Sequence, residues 1–133
     1  MGSFVSSTNR LPRYAASALA VFAHPEVAGV GKTEQQLRSE GAAYAKGVVT
    51  YEAATKGRAI KEQHGLVKIL VAPTGEILGA HIVGAHASIL LHEVTTAMKW
   101  RNHITSLTEL IHIHPSLPEL TKGAARAAAN AIA

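Results

Sequence analysis

The segment Ile111-His112-Ile113-His114-Pro115-Ser116-Leu117-Pro118-Glu119 has the residue types and spacing of an acid/base pair. A histidine fixed just before a helix start, with a glutamate five residues later in the first turn, lets the carboxylate reach back to one ring nitrogen. The other nitrogen then faces outward, and the carboxylate sets the tautomer. The same residues have a second reading. Ser116-x-x-Glu119 is a complete capping box, in which Glu119 does no more than satisfy backbone donors at the helix start. Spacing alone leaves both readings open. The chain has eight histidines and no cysteine. His112-x-His114 could present two imidazoles on one strand face, but a zinc site needs three or four ligands and no thiolate can help. No metal site is assigned, and His112 is read as structural. All nine acidic residues are glutamate. This excludes a Ser-His-Asp triad or an aspartate-held magnesium site drawn from this chain, as the missing cysteine excludes thiol nucleophiles, disulfides and iron–sulfur ligation.

These side chains must be positioned by a single domain, because 133 residues with 47% hydrophobic and 17% charged side chains suit one core rather than disorder. No apolar run approaches the roughly 18 residues of a membrane span. The net charge of +4 is spread over scattered lysines and arginines. A nucleic-acid surface concentrates its basic residues, so neither nucleic acid nor membrane is an expected partner. Residues 1–17 carry Arg10, Arg13, several serines and no acid, which loosely fits an organelle transit segment, while Met1-Gly2-Ser3 equally fits a cloning remnant. The division is therefore an arm at 1–17 and a domain at 18–133. The cytoplasm is the default location, with the mitochondrion the alternative that the arm suggests.

Within the domain, Ala18 to Ala23 reads as a buried strand stopped at His24-Pro25. Thr33 and Gln36 have capping-box spacing and predict a helix at about 34–40, closed by Gly41. Tyr44 to Glu52 reads as a strand with Gly47 marking a bulge. Leu66–Ala72 and Ile77–Gly84 form a hairpin around Pro73-Thr74-Gly75-Glu76. Both strands are apolar on both faces apart from Lys68 and His81, so a helix on one side and a partner subunit on the other are expected. Leu90, Val94, Ala97 and Met98 predict an amphipathic helix over 87–101, with Glu93, Thr96 and Lys99 turned away. Ser106 and Glu109 suggest a second capping box, for a helix ending at His114-Pro115. Ser116, Pro118 and Glu119 open a third helix. The elements do not alternate as βαβ units, so the fold class is α+β with a largely antiparallel sheet packed with helices.

At this point the chain resembles the dimerisation domain of the flavin-dependent pyridine nucleotide–disulfide oxidoreductases, most closely the dihydrolipoamide dehydrogenase branch. Four landmarks stand in the family's order. Phe22-Ala23-His24-Pro25-Glu26-Val27-Ala28-Gly29-Val30-Gly31-Lys32-Thr33-Glu34 resembles the opening strand and turn, and Gly57-Arg58-Ala59 the short Arg-Ala segment. Gly65-Leu66-Val67-Lys68 through Ile77-Leu78-Gly79-Ala80-His81-Ile82-Val83-Gly84 resembles the central hairpin. His114-Pro115-Ser116-x-x-Glu119 resembles the His-Pro-Thr-x-x-Glu signature, with serine for threonine and Pro118 where serine is common. The likeness covers about residues 18–127.

The resemblance implies a homodimer in which His114, oriented by Glu119, projects into the partner subunit's active site as acid/base toward the redox dithiol beside the flavin. It also implies that the His114-Pro115 main chain approaches that flavin. A thiolate attacks disulfides and a thiol does not, so a base beside a dithiol controls exchange. The FAD- and NAD(P)-binding portions of the family, its GxGxxG fingerprint and its cysteine pair do not occur in this sequence. The chain alone is thus expected to bind neither cofactor. It reads as one part of a longer oxidoreductase, paired with that parent's FAD/NAD-binding domains, or alternatively as a stand-alone homodimerisation or interaction module. Lipoamide is the favoured parent substrate.

Overall fold

A computed structural model describes residues 18–132; the arm at 1–17 lies outside them. Five strands form one antiparallel sheet in the order β1-β2-β5-β4-β3, the α+β architecture expected. They are β1 (Leu19–Val21), β2 (Val27–Gly31), β3 (Ala45–Thr50), β4 (Leu66–Val71) and β5 (Ile77–Val83), interleaved with helices α1 (Glu34–Ser39), α2 (Thr55–Ala59), α3 (Ala87–Trp100), α4 (Thr105–Thr108) and α5 (Pro118–Ile132).

The hairpin β4–β5 is the centre of the sheet, as its sequence predicts. Its bulge falls between Leu70 and Val71. Gly47, read as a bulge, instead sits in unbroken register with Ile69. Its missing side chain has another cause: a Cβ there would lie 2.0 Å from the Ala124 carbonyl oxygen, so glycine lets α5 rest directly on β3. The segment 18–23 is also corrected. Only Leu19–Val21 is strand, and it is exposed at the edge of the sheet, where among the described residues it pairs with β2 alone. The strand buried at that end is β2, which sequence patterning misses because Gly29 and Gly31 depress its β-propensity. Gly31 adopts φ +74°, and a Cβ would meet the Leu78 carbonyl oxygen at 2.4 Å.

Alternation along the strands sends Val30, Val67, Ile69, Val71, Ala80 and Ile82 to one face, where α3 and α5 bury them with Leu90, Val94, Leu120 and Ala124. α3 follows the predicted stripe. Its first turn lacks a side-chain cap of its own, and the Glu26 carboxylate takes that place by accepting the Ser88 N–H at 2.5 Å. Hydrogen bonding from the Ser88 side chain first, and then from this N–H, holds the Glu26 carboxyl below the usual carboxylate range.

The opposite face is covered at one end by α1, whose capping box forms as expected, with Gln36 N–H on Thr33 Oγ1 at 3.2 Å and Thr33 N–H on Gln36 Oε1 at 2.9 Å. Glu34 of α1 lies over the sheet and gathers Lys68 Nζ (2.8 Å), Arg38 (3.0 Å) and Lys46 Nζ (3.2 Å). The hydrogen bond from Lys68, first among these, holds its carboxyl down to about 2. Because the folded value lies below the ordinary 4.5, this contribution to stability is complete above about pH 4.5 and disappears as the pH falls through about 2. Glu34→Gln should therefore lower the urea midpoint at pH 6, with the gap to the parent chain closing steadily toward pH 2. A gap independent of pH would exclude this origin.

Candidate functional site

α5 starts at Pro118, whose missing N–H costs nothing in a first turn. Leu117 and Leu120 are buried and fix that start against the core, so Glu119 emerges on the side facing back along the chain. Glu119 Oε1 accepts from His114 Nδ1 at 2.8 Å, and Oε2 accepts the Ser116 N–H at 2.8 Å. The two readings of the sequence therefore coexist, one on each carboxylate oxygen. The box is only half made, since the Ser116 hydroxyl is buried without a partner among the described residues. The Ser116 N–H first, and then His114, hold the Glu119 carboxyl below its ordinary value. An ionised carboxylate on Nδ1 makes that nitrogen the N–H and leaves Nε2 as the proton acceptor. The imidazole is 69% exposed, so Nε2 is open to a reactant from outside.

Beside His114 and Glu119 lies an open cleft of about 310 Å³, bounded by Val49, Ala54, Thr55 and Leu120. Pro115 is exposed next to it, in a cis peptide with His114. His112 takes a different course from His114. No strand forms here, and the two rings do not share a face. The His112 side chain is 5% exposed, with Nε2 2.6 Å from Glu93 Oε1 and Nδ1 3.1 Å from the Leu110 carbonyl oxygen. Glu93, expected to face solvent, is 19% exposed. Burial pushes its carboxyl up, and the hydrogen bond from His112 opposes that. Nothing local could have revealed the pair, since its members are 19 residues apart. Among the described residues no three histidine or glutamate side chains converge as a metal site.

The second expected capping box is absent. α4 spans only Thr105–Thr108, and Ser106 Oγ has no partner among the described residues. His103 does the work at its start. Its Nδ1 faces the Thr105 N–H and hydroxyl, while Nε2 faces the Thr74 carbonyl in the β4–β5 turn. The chain leaves the helix at Glu109, and His112 then reaches Glu93 on α3.

A five-stranded antiparallel sheet with two helices packed on one face is the α+β architecture found in solved flavoprotein disulfide reductases. LpdA of Mycobacterium tuberculosis superposes with a TM-score of 0.79 at 26% identity over 88% of this chain and 25% of that one. The HOCl-induced flavoprotein disulfide reductase RclA of Escherichia coli gives 0.77 at 25% identity, over 82% and 25%. Residues 17–125 match the pyridine nucleotide-disulphide oxidoreductase dimerisation domain, and the chain belongs to that family. Among curated relatives it is 42% identical over 108 residues to the mitochondrial dihydrolipoyl dehydrogenase 1 of Arabidopsis thaliana, and 43% identical over 110 residues to the dihydrolipoyl dehydrogenase of Cupriavidus necator. Each alignment covers 80% of this chain but 21% and 23% of the relative. The chain is thus a dimerisation domain of the dihydrolipoyl dehydrogenase-like disulfide oxidoreductases and spans about a fifth of their length.

Proposed function

We propose that residues 18–133 pair with a second copy of themselves and present His114, oriented by Glu119, as the acid/base for the redox dithiol of the partner subunit in a dihydrolipoamide dehydrogenase-like flavoenzyme. The observation that carries this reading is the 2.8 Å contact from His114 Nδ1 to Glu119, which leaves Nε2 outward and open. With Nε2 free, the imidazole can take the proton of an attacking thiol and return it after exchange. Within the neutral ring, the carboxylate selects the tautomer with its proton on Nδ1.

In the parent enzyme FAD and NAD(P) supply the electron transfer. The cleft of about 310 Å³ beside His114 is at the low end of small-molecule sites, which run about 300–1,000 Å³. It suits an edge contact from His114 and the exposed Pro115 main chain, with the bulk of a dinucleotide held by other portions of the enzyme.

Pairing is supported by the outer side of α3. Ile89, His92, Thr96 and Trp100 recur at helical spacing along an exposed stripe, and Ile89 and Trp100 are large apolar side chains left in water. Leu110, Ile111 and Ile113, also exposed, extend apolar surface into the segment that carries His114. An apolar cavity of about 480 Å³ lies between Trp100, Thr96, Leu107 and Leu110. Sedimentation equilibrium should give twice the chain mass, and Trp100→Glu should return the chain to single mass by placing an unpaired charge in the contact. A monomer at every concentration would overturn the pairing. Detection of the native protein in source cells should give a band several times heavier than this chain; a band at the chain's own mass would overturn the flavoenzyme reading.

A further inference from the structure

Residues 109–117 form a strap between α4 and α5, and His114 is at its middle. Among the described residues no backbone–backbone hydrogen bond ties residues 110–116 to anything. Every side chain from Glu109 to Pro115 is exposed except one. That one is His112, which turns inward against α3.

The strap is therefore held by side chains. At its C-terminal end the Ser116 N–H is held by Glu119. Near its N-terminal end Lys122 Nζ of α5 donates to the Leu110 carbonyl at 2.6 Å. Between them the only buried attachment among the described residues is His112, with Nε2 on Glu93 and Nδ1 on the Leu110 carbonyl, which closes a small loop over α3. Ile111 and Ile113 flank His112 and point to solvent, so apolar burial does not hold the strap to its own domain. α3 itself is anchored in the core through Leu90, Leu91 and Val94, so Glu93 is a rigid post.

We propose that Glu93 and His112 act as a clamp that fixes the strap on α3 and so sets where His114 projects. Both are positioning residues, and neither touches the reacting atoms. The inference rests on the acid/base reading of His114. Its physical logic is that an acid/base group is effective only at a defined distance from the proton it moves, and a displacement of about 1 Å can cost on the order of 10²-fold in rate. A tether two residues away from His114 on each side limits its excursion. Without the clamp one tether remains beside it, at Ser116.

The test compares Glu93→Ala, which removes the acceptor, with Glu93→Gln, which keeps an oxygen for the His112 N–H. In the full-length flavoenzyme Glu93→Ala should lower kcat by about 10- to 100-fold with little change in KM. Glu93→Gln should retain kcat within about 3-fold, since a neutral hydrogen bond still holds the ring. In the 133-residue chain, nitrogen-15 imidazole spectra should show the His114 Nδ1 signal losing its Glu119-bonded character in the alanine variant and keeping it in the glutamine variant. A role in stability alone would lower Tm in both variants while leaving kcat per folded enzyme and the His114 signals unchanged, and that result would overturn the clamp. His114→Ala separates the two ideas. If it leaves turnover intact, the acid/base reading falls and the clamp is judged by the His114 spectra alone. If it abolishes turnover while Glu93→Ala leaves kcat and the spectra unchanged, the clamp falls and the acid/base reading stands.

Discussion

His114→Ala, introduced into the flavoenzyme that carries this domain, should lower steady-state turnover by about 10²- to 10⁴-fold, the range for loss of a positioned acid/base. The size of the effect follows from what remains. Glu119 keeps its bond to the Ser116 N–H and stays at the helix start, but its oxygen cannot replace Nε2, which the imidazole carries outward from the strap. Water then becomes the only proton acceptor, neither held nor oriented. The exposed ring contributes little burial, so the variant should fold and pair as its parent does. Turnover assayed alongside sedimentation separates the two effects. A variant of parental mass and parental turnover would remove the acid/base role, whereas a monomeric variant would place His114 in the subunit contact instead.

Gly47→Ala should be the most damaging single methyl group in the fold. The added carbon would lie 2.0 Å from the Ala124 carbonyl oxygen and 2.4 Å from the Ala128 nitrogen, both main-chain atoms of α5. Main chain cannot rotate aside as a side chain can, so α5 must lift from β3, and its buried Leu120, Ala124, Ala125 and Ala128 lose their fit together. Overpacking in cores costs about 1–3 kcal/mol where side chains can adjust, and a clash with main chain should reach about 3 kcal/mol or more. Urea unfolding measures the loss directly. Gly123→Ala is the matched control. Its Cβ would meet the Val49 side chain, nearest at a methyl group 3.2 Å away, and alanine is the better helix former by about 1 kcal/mol, so the change should be near neutral or stabilising. Equal losses at both positions would show that general helix disturbance, rather than the helix–strand approach at Gly47, governs the response. Because α5 carries Glu119 in its first turn, Gly47→Ala should also loosen the His114 contact some distance from the substituted residue.

Features set by neighbours in the chain are legible in the sequence. The α1 capping box, the β4–β5 turn and the buried stripe of α3 each depend on residues within a few positions of one another, and so does the reach from His114 to Glu119. The features that were missed all join distant segments. Gly47 looks like a bulge because glycine in a strand has two common causes, and only the arrival of α5, some 75 residues later, decides between them. Glu93 sits on the outward side of an amphipathic helix and looks solvated until His112 folds back onto it. Ser106 and Glu109 have capping spacing, yet His103 takes over the helix start because the hairpin turn presents a carbonyl to its other nitrogen. β2 was hidden by its own glycines, which make it a poor strand in isolation and a good one once Leu78 and His81 lie beside it.

The strand order also governs the sequence of events during synthesis. β2 pairs with β5, whose residues lie about 50 positions later, and at translation rates of about 5–20 residues per second this leaves β2 waiting several seconds for its neighbour. An exposed strand edge rich in β-branched residues would recruit other nascent chains during that interval. β2 has only two valines among five residues and is broken by Gly29 and Gly31, so it is nearly silent as a template until the β4–β5 hairpin has emerged. The two glycines that hide β2 from pattern reading are what let an interior strand be made early and used late.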